Sequence, residues 1–385
     1  MKQLYFDQAA TSFPKAPGVG EAMLRYLTTN GTNINRGTYQ QASQAALTVL
    51  ETRELLARLF HFQQGIEQVI FTPGCTWGLN TILKGYLKPG DHVIVSGLEH
   101  NAVMRPLVEL TRCGITFSRI PANEKGESRA SDLLPLLQAN TRLVLVSHAS
   151  NVSGTIFPLA ETAQICKERN IPLAVDGAQS AGHLEIDFDS LGLSALSVPG
   201  HKGLMGPQGI GALLLDKKFA AALLPLVTGG TGSASDQEVQ PEYLPDKFES
   251  GTLNLPGIFG LHAALTYLQQ EGLTKLHQRQ TALLTKFLAL LEPLPVRIIG
   301  PKDPSKQVGV ISLSFTNLDN GEAAFQLEQK FGILTRCGLH CAPNAHKVLN
   351  TFPQGTVRFS LGNFTSEAEI EAAVKAISCL CTLHN

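Results

Sequence analysis

The sequence lacks several features that define whole classes of proteins. Its 31 lysines and arginines face 32 aspartates and glutamates, for a net charge of −1, and no basic block stands out. Nucleic acid is therefore not expected as the main partner. No apolar run approaches the length of a membrane span. The first residues, up to Asp7, carry an acid and no apolar signal core, so we expect a cytoplasmic protein without a membrane partner.

Cysteine is also scarce. Seven cysteines in 385 residues are an odd number and too few for a disulfide scaffold, which fits a reducing compartment. Most are expected to be small buried hydrophobic residues. A zinc site is disfavoured, because the spacing is not that of a finger or ribbon and only one cluster exists. The residues of that cluster are Cys337, His340, Cys341 and His346.

The middle of the chain alternates short apolar strands with helices. With 43% hydrophobic and 16% charged residues, the chain is an ordinary globular protein that is long enough for two domains. Predicted strands are Gln68–Thr72, His92–Ser96, Ile115–Ile120, Leu143–Ser147, Pro172–Asp176, Ala195–Val198 and Gly211–Leu215. Predicted helices are Gln41–Phe60, Thr76–Leu87, Ala102–Thr111 and Leu159–Arg169. This pattern indicates an α/β fold with a mostly parallel sheet of seven strands.

The pattern changes after Pro256. Predicted helices Gly257–Gln270 and Leu273–Leu291 precede predicted strands Val296–Gly300, Gly309–Phe315, Ile333–Arg336 and Thr356–Leu361, and a last helix, Ser366–Cys379. We interpret residues 16–256 as a large α/β domain. Residues 257–385, with residues 1–15 packed against them, form a smaller α+β domain in this interpretation.

Polar groups follow the predicted strands where each one ends. Gly74-Cys75-Thr76 opens a helix, where free N–H groups and the helix dipole favour an anion. Thr76 as a simple helix N-cap is the alternative. Ligands in open α/β sheets bind beyond the carboxyl ends of strands, so these groups predict a site there. The other groups are His100, Asn151, Asp176 and Gln179.

Lys202, in the loop Gly200-His201-Lys202-Gly203, gives this site a specific chemistry. An amine can bond covalently to an aldehyde, and a carboxylate such as Asp176 can keep a pyridinium nitrogen protonated. Those are the two requirements of pyridoxal 5'-phosphate (PLP). Alone, a loop lysine is ordinarily solvated and an aspartate after a strand is a turn or cap residue. The combination predicts a PLP site.

These residues belong to a longer set of motifs that resembles one family. The chain resembles fold-type I PLP-dependent transferases of aminotransferase class V, in the SUF-type, group II-like branch of the cysteine desulfurase and selenocysteine lyase group. The motifs are Tyr5-Phe6-Asp7-Gln8-Ala9-Ala10-Thr11, Thr76, Glu99-His100-Asn101, Ser150-Asn151, Asp176-Gly177-Ala178-Gln179, the segment 200–209, Phe248-Glu249-Ser250-Gly251-Thr252, the segment 336–343 and Val357-Arg358-Phe359-Ser360.

The resemblance implies a role for each matching residue. Lys202 would hold PLP, Asp176 would pair with the ring nitrogen, and Gln179 would bind the ring oxygen. His100 would stack on the ring and take part in catalysis. The remaining residues implied are Thr76 and His201 for the phosphate, Thr252 for the phosphate from the second subunit of a homodimer with shared sites, Arg358 for the substrate carboxylate, and Asn151, Arg336 and Tyr39 for the substrate.

Cys341 matches the position of the nucleophile in this family's desulfurases. The resemblance implies conversion of L-cysteine to L-alanine, with sulfur held on Cys341 as a persulfide and passed to an acceptor protein. A thiol has a pKa of about 8.5, which Arg336 and His340 could lower. The alternative for Cys341 is a buried apolar residue. Alternatives for the function are a selenocysteine lyase, a cystine or cysteine C–S lyase, an aminotransferase and a non-catalytic PLP-binding protein.

Three positions depart from the family pattern. Pro199 stands where a serine or threonine usually contacts phosphate, and proline has neither hydroxyl nor N–H. Tyr39 in Arg36-Gly37-Thr38-Tyr39 replaces the usual histidine. Gln8 stands where asparagine is commoner. These departures bear on the substrate more than on PLP chemistry.

Overall fold

The computed structural model describes residues 3–34, 37–234 and 236–383. The strands are β1 (Leu4–Tyr5), β2 (Val69–Thr72), β3 (His92–Ser96), β4 (Thr116–Ile120), β5 (Thr141–Ser147), β6 (Leu173–Asp176), β7 (Ala195–Pro199), β8 (Gly211–Leu215), β9 (Val296–Ile299), β10 (Val310–Phe315), β11 (Ile333–Leu334), β12 (Arg336–Gly338) and β13 (Thr356–Ser360). The helices are α1 (Val19–Arg25), α2 (Gln40–Leu59), α3 (Cys75–Tyr86), α4 (Asn101–Thr111), α5 (Leu159–Glu168), α6 (Lys217–Ala222), α7 (Leu255–Glu271), α8 (Leu273–Leu291), α9 (Asn320–Phe331), α10 (Pro343–Val348) and α11 (Glu367–Leu383).

The central sheet has seven strands in the order β2-β8-β7-β6-β5-β3-β4. Strand β8 runs antiparallel to both of its neighbours, and the other pairs are parallel. The predicted mostly parallel, seven-stranded sheet is confirmed, with strand ends differing by at most two residues. Runs of Val, Ile and Leu form it because both faces are covered by helices.

Alternation along β5 shows how the two faces are covered. Leu143 and Leu145 pack in a cluster with residues of α3 and α4, whereas Val144 and Val146 pack in a cluster with residues of α2, α5 and α7. Successive side chains of a strand point to opposite faces, so one apolar strand contributes to both layers. This three-layer arrangement fixes the carboxyl ends of the strands at one edge.

The C-terminal region forms a second sheet of four antiparallel strands in the order β12-β13-β10-β9. Its core includes apolar residues of α8, α9 and α11. The predicted single strand Ile333–Arg336 is wrong, because the chain changes partner there. Strand β11 pairs in parallel with β1, and β12 pairs with β13. The first residues of the chain therefore lie against the C-terminal region, as predicted.

Helix α7 lies next to the predicted boundary at Pro256. Its residues Ile258, Leu261 and Leu265 are buried in the core shared with α2 and the central sheet. The division into residues 16–256 on one side and 1–15 with 257–385 on the other stays a prediction. The residues of α7 pack on the large-domain side of that division.

Candidate active site

A cavity of about 530 Å³ lies at the carboxyl ends of the parallel strands of the central sheet. The loops after β2, β3, β5, β6 and β7 all contribute to its wall, which is where open α/β sheets bind ligands. Seven of the residues expected from the sequence line it: Thr76, His100, Asn151, Asp176, Gln179, His201 and Lys202.

Lys202 and Asp176 form the charged centre of this cavity. Burial lowers the pKa of the Lys202 amine, while the Asp176 carboxylate acts in the opposite direction. A lysine with a lowered pKa has a larger neutral, nucleophilic fraction. Asp176 is buried, and its Oδ1 accepts from Ala178 N at 2.9 Å and lies 3.2 Å from Cys75 Sγ. Among the described residues, its Oδ2 has a single contact, to Ser147 Oγ at 3.4 Å, which leaves that oxygen available to a ligand donor.

A second buried carboxyl group, Glu99, lies behind Asp176. It accepts hydrogen bonds from Ser147 N at 2.8 Å, Ser147 Oγ at 2.6 Å and Ser96 N at 3.2 Å. Burial raises its pKa to about 7 in spite of these bonds. Sequence reasoning named Glu99 only as part of a motif and gave it no role. The sequence feature that could have indicated a role for Glu99 is its position one residue before His100, in the turn after an apolar strand.

His100 begins helix α4 as its N-cap. Its Nδ1 accepts from Ala102 N at 3.0 Å, which leaves Nε2 as the other ring position for a proton. Burial lowers the pKa of the ring. The structure therefore presents a neutral, oriented imidazole to the cavity.

The anion-binding end of the cavity lies at the start of helix α3. The N-cap is Gly74, which makes no side-chain cap, so the alternative of Thr76 as the N-cap is wrong. A Cβ on Gly74 would meet no other atom within 4 Å, which leaves open space beside the free N–H groups. His201 Nδ1 is buried without a partner among the described residues. The Lys202 amine, the Asp176 carboxylate and the anion-binding start of helix α3 together fit PLP.

Two arginines of the four-stranded sheet lie beside the cavity without lining it, at what we call its substrate end. Arg358 on β13 is 3% exposed, and it donates from Nη1 to Asn151 O at 3.1 Å and from Nη2 to Asp7 Oδ1 at 3.0 Å. Its Nε has no partner among the described residues. Arg336 on β12 donates from Nη2 to Asp7 Oδ2 at 2.8 Å. Both guanidiniums therefore share the carboxylate of Asp7.

Cys341 is exposed, so the alternative of a buried apolar cysteine is wrong. It also lines an outer cavity of about 310 Å³ beside His100, Arg105 and Glu109. Thr76 and His100 line both this outer cavity and the main one, so the two cavities adjoin beside Cys341. The Cys341 thiol therefore lies between the residues of the main cavity and the solvent.

The loop that carries Cys341 is held in an uncommon conformation. His340 and Cys341 have φ values of 47° and 57°, in the left-handed region that residues other than glycine seldom adopt. Asn151 Nδ2 donates to His340 O at 2.6 Å, and Asn101 N donates to Cys341 O at 2.7 Å. Asn151 thus positions the cysteine loop. Burial, with Arg358 nearby, holds the pKa of His340 far below its usual range, so its ring is neutral and adds no positive charge beside the thiol.

The general expectation for the cysteines is wrong. Four of the seven are exposed, because they lie on the outer surfaces of loops, an edge strand and a helix rather than in the core. Those four are Cys113, Cys337, Cys341 and Cys379.

Five predicted site residues do not line the main cavity of their own chain, namely Arg336, Arg358, Cys341, Tyr39 and Thr252. Tyr39 is exposed before helix α2. Thr252 lines a separate cavity together with Gly229 and Gly251. Their predicted roles stay predictions. Arg36 lies outside the described residues.

Residues 3–34, 37–234 and 236–383 show neither a metal-binding cluster nor a membrane-spanning helix. No group of three or more His, Cys, Asp or Glu side chains there could hold a metal ion. No helix in those ranges is both long enough and apolar enough to cross a membrane.

A family model for aminotransferase class V matches residues 4–373. The chain belongs to the aminotransferase class-V family. It is similar to a probable cysteine desulfurase of Pyrococcus abyssi, with 31% identity over 96% of this chain and 92% of the relative. It is also similar to a cysteine desulfurase of Escherichia coli O157:H7, with 30% identity over 97% of this chain and 92% of the relative.

Solved structures give the same result. The apo structure of a cysteine desulfurase from Thermococcus onnurineus NA1 superposes with a TM-score of 0.92 at 30% identity, covering 99% of this chain and 95% of that one. The cysteine desulfurase CsdA from Escherichia coli gives 0.89 at 26% identity, covering 100% and 96%. The expected fold of PLP-dependent fold-type I transferases is confirmed.

Proposed function

We propose that the protein is a PLP-dependent cysteine desulfurase, which converts L-cysteine to L-alanine and holds the sulfur on Cys341 as a persulfide. The observation that carries the proposal is the exposed Cys341 thiol, whose loop is held by Asn151 and Asn101 and which lines a cavity together with His100. An aminotransferase or a PLP-binding protein without catalysis has no use for that thiol. The similarity to named cysteine desulfurases supports the same activity.

The cofactor would be held by residues of the main cavity. Lys202 would bond to it, the free Oδ2 of Asp176 would accept from the ring nitrogen, and Gln179 would contact the ring oxygen. The His100 ring would stack on its face, and Thr76 and His201 would hold the phosphate, with Thr252 from a second subunit. When bound, PLP withdraws electrons from the substrate, which makes the substrate's Cα proton acidic and the substrate's Cβ–S bond labile.

The protein's own residues then bind and orient the substrate. The Nε–H of Arg358, which has no partner among the described residues, would bind the substrate carboxylate, a task suited to a planar donor. The Lys202 amine, with its lowered pKa, takes and returns a proton at Nζ. Tyr39 and Arg336 complete the substrate contacts in this proposal.

Cys341 performs the sulfur transfer. Its thiolate attacks the sulfur of the substrate, so one S–S bond forms as the Cβ–S bond breaks. The electron pair of the broken bond stays on Cβ, which gains a proton to give alanine, and Cys341 becomes the persulfide. Substrate and thiol thus give alanine and persulfide with no further oxidant. An acceptor protein would collect the sulfur from this exposed position.

The assembly follows from the same residues. Thr252 does not reach the main cavity of its own chain, so its role requires a homodimer with shared sites. We also infer a cytoplasmic location from the scarce, unpaired cysteines.

Alanine formation by the wild type and Cys341→Ala from L-cysteine and from L-selenocysteine tests the proposal. We expect the variant to lose activity on L-cysteine, because no thiolate takes the sulfur. Cys337→Ala, at another exposed cysteine, is the matched control and should retain activity. If the wild type forms alanine from L-selenocysteine alone, the protein is a selenocysteine lyase. If Cys341→Ala keeps full activity on L-cysteine, the thiol has no role.

A further inference from the structure

Cys75 is a buried thiol in the main cavity for which the proposed reaction has no use. It is the first residue of helix α3, it is 8% exposed, and it lines the cavity together with Asp176 and Lys202. Its Sγ lies 3.2 Å from Asp176 Oδ1 and 3.3 Å from Ser197 O. The thiol therefore contacts the carboxylate that is proposed to meet the ring nitrogen of the cofactor.

Contacts between helix α3 and strand β7 fix the position of this thiol. Ser197 Oγ on β7 donates to Cys75 O at 3.0 Å. Gly78, one turn along α3, packs so closely on β7 that a Cβ there would clash with Ser197 Oγ. The start of the helix cannot move away from the strand without breaking these contacts. Secondary structure, and not a loop, therefore holds the Cys75 side chain beside Asp176.

The Cys75 thiol is a hydrogen-bond donor to Asp176 and not a nucleophile. A cysteine at a helix N-terminus is ordinarily activated, because the helix dipole favours the thiolate. Here burial raises the pKa of the Cys75 thiol well above its usual value, and the Asp176 carboxylate raises it further. A thiol has one hydrogen, and a carboxylate is a stronger acceptor than a carbonyl. Ser197 O already accepts from Gly177 N at 2.9 Å, so the thiol hydrogen goes to Asp176 Oδ1.

The two oxygens of the Asp176 carboxylate have different surroundings. Oδ1 accepts from Ala178 N at 2.9 Å and from the Cys75 thiol. Among the described residues, Oδ2 has one long contact, to Ser147 Oγ at 3.4 Å. That hydroxyl has a single hydrogen, which it donates to Glu99 Oε2 at 2.6 Å. Two protein donors therefore fix Oδ1, and Oδ2 is the oxygen left for a donor in the cavity.

We propose that Cys75 is a positioning residue, whose thiol holds Asp176 Oδ1 so that Oδ2 is presented to the ring nitrogen of PLP. A thiol is a weak donor, so it orients the carboxylate without taking up much of the negative charge that a pyridinium requires. Cys75 itself takes no part in covalent chemistry. This inference rests on the cofactor of the proposed function and not on its substrate.

Binding of a PLP analogue to the full-length protein, freed of PLP, tests the inference. The analogue is pyridoxine 5'-phosphate, which keeps the ring nitrogen and the phosphate but has an alcohol in place of the aldehyde, so it cannot bond to Lys202. Calorimetry gives its Kd. We expect Cys75→Ala to raise Kd by about threefold or more, the effect of one hydrogen bond. Cys75→Ser removes about as much volume but keeps a donor, so it should restore most of the affinity.

A double-mutant cycle separates an effect through Asp176 from an effect of packing. In an Asp176→Ala background, Cys75→Ala should change Kd by less than about 1.5-fold, because no carboxylate is left to orient. An equal change in both backgrounds would show that Cys75 only fills space and would overturn the inference, as would a change below about twofold in the parent protein. Cys166→Ala, at a buried cysteine of α5 outside the cavity, is the matched control and should leave Kd unchanged.

The S–H stretching vibration of Cys75 gives a second measurement, which needs no ligand and serves where Cys75→Ala does not fold. The difference between the infrared spectra of the wild type and Cys75→Ser isolates the Cys75 band from those of the other cysteines. We expect this band at a lower frequency than the others, because a hydrogen bond to a carboxylate weakens the S–H bond. It should move to higher frequency in Asp176→Ala. A band that stays in place would overturn the inference.

Alanine assays on the PLP-loaded wild type distinguish the two proposals. A wild type that binds pyridoxine 5'-phosphate but forms no alanine from L-cysteine refutes the proposed function alone. A wild type that forms alanine, without coupling between Cys75 and Asp176 in the cycle, refutes only the role of Cys75.

Discussion

The cofactor end and the substrate end of the cavity are built in different ways. At the cofactor end, Glu99, Asp176 and Lys202 lie at or just after the ends of strands of one sheet, and the two carboxyl groups are buried. At the substrate end, Asp7 reaches Arg336 and Arg358 across 329 and 351 residues of chain, and half of the Arg336 side chain is exposed. The sheet alone positions the first set, whereas the second depends on contacts between the two ends of the chain.

This difference has energetic consequences. The cofactor end holds few charges, and they are shielded from water. Burial and hydrogen bonds therefore dominate the electrostatic energy of each carboxyl group there. Charges at the substrate end lie in a network that a ligand can enter, and part of it is screened by water. We therefore expect changes at the cofactor end to remove a function outright, and changes at the substrate end to alter affinity by degrees.

Lys202→Ala should give the largest effect of these changes. Without the amine, no covalent bond to PLP forms, and alanine formation should fall by about a thousandfold or more. Borohydride reduction followed by peptide mass measurement reports the bond directly. Lys217→Ala, at an exposed lysine that begins α6, is the control and should keep both bond and activity. A Lys202→Ala protein that still gives the labelled peptide would show that another lysine holds the cofactor.

Arg358→Lys should have a smaller effect, on affinity. Lysine cannot supply planar paired donors to a carboxylate while also reaching Asp7 and Asn151 O, so KM for L-cysteine should rise by about ten- to a hundredfold. Steady-state kinetics measure it. Arg336→Lys is the matched variant, at the half-exposed arginine that Asp7 occupies, and should raise KM less. An equal rise in both would contradict the distinct roles given to the two arginines.

Glu99→Gln should change stability with pH more than activity. Burial raises the pKa of Glu99 from 4.5 to about 7, so the folded protein binds more protons than the unfolded chain between those values. Stability therefore falls as pH rises through that window, by on the order of 3 kcal/mol in total. Glutamine does not titrate, so the Glu99→Gln variant should not lose this stability as the pH rises.

Urea unfolding at about pH 5 and about pH 8 measures that difference. The free energy of unfolding should fall less with pH in Glu99→Gln than in the wild type. Glu161→Gln, at an exposed acid, should follow the wild type. Equal slopes for Glu99→Gln and the wild type would show that Glu99 is ionised throughout the window.

The sequence predicted the cofactor end better than the substrate end, for a physical reason. Strands buried on both faces are apolar runs, and parallel strands end at one edge, so Asp176 and Lys202 could be placed together without the structure. Cys341 and Arg358 were placed by family resemblance and not by any pattern of spacing. The pairing of Asp7 with both arginines was not visible, because it depends on the N-terminal segment docking between distant strands.

Local features that the sequence predicted wrongly or not at all also depend on contacts between distant parts of the chain. The strand predicted at Ile333–Arg336 is two strands, since β1 and β13 each pair with one part of it. Glu99 received no role, because the burial that raises its pKa comes from the packed sheet around it. Strand composition indicates burial well, whereas pairing partners and the surroundings of a carboxyl group require the fold.

The mass of the peptide that contains Cys341 tests the central claim most directly. The PLP-loaded enzyme would be mixed with L-cysteine without an acceptor or reductant, quenched after about one turnover and digested. We predict that the Cys341 peptide gains the mass of one sulfur atom in step with alanine, while the Cys337→Ala variant gains it equally. Alanine formed in equal amount with no added sulfur on Cys341 would contradict the account.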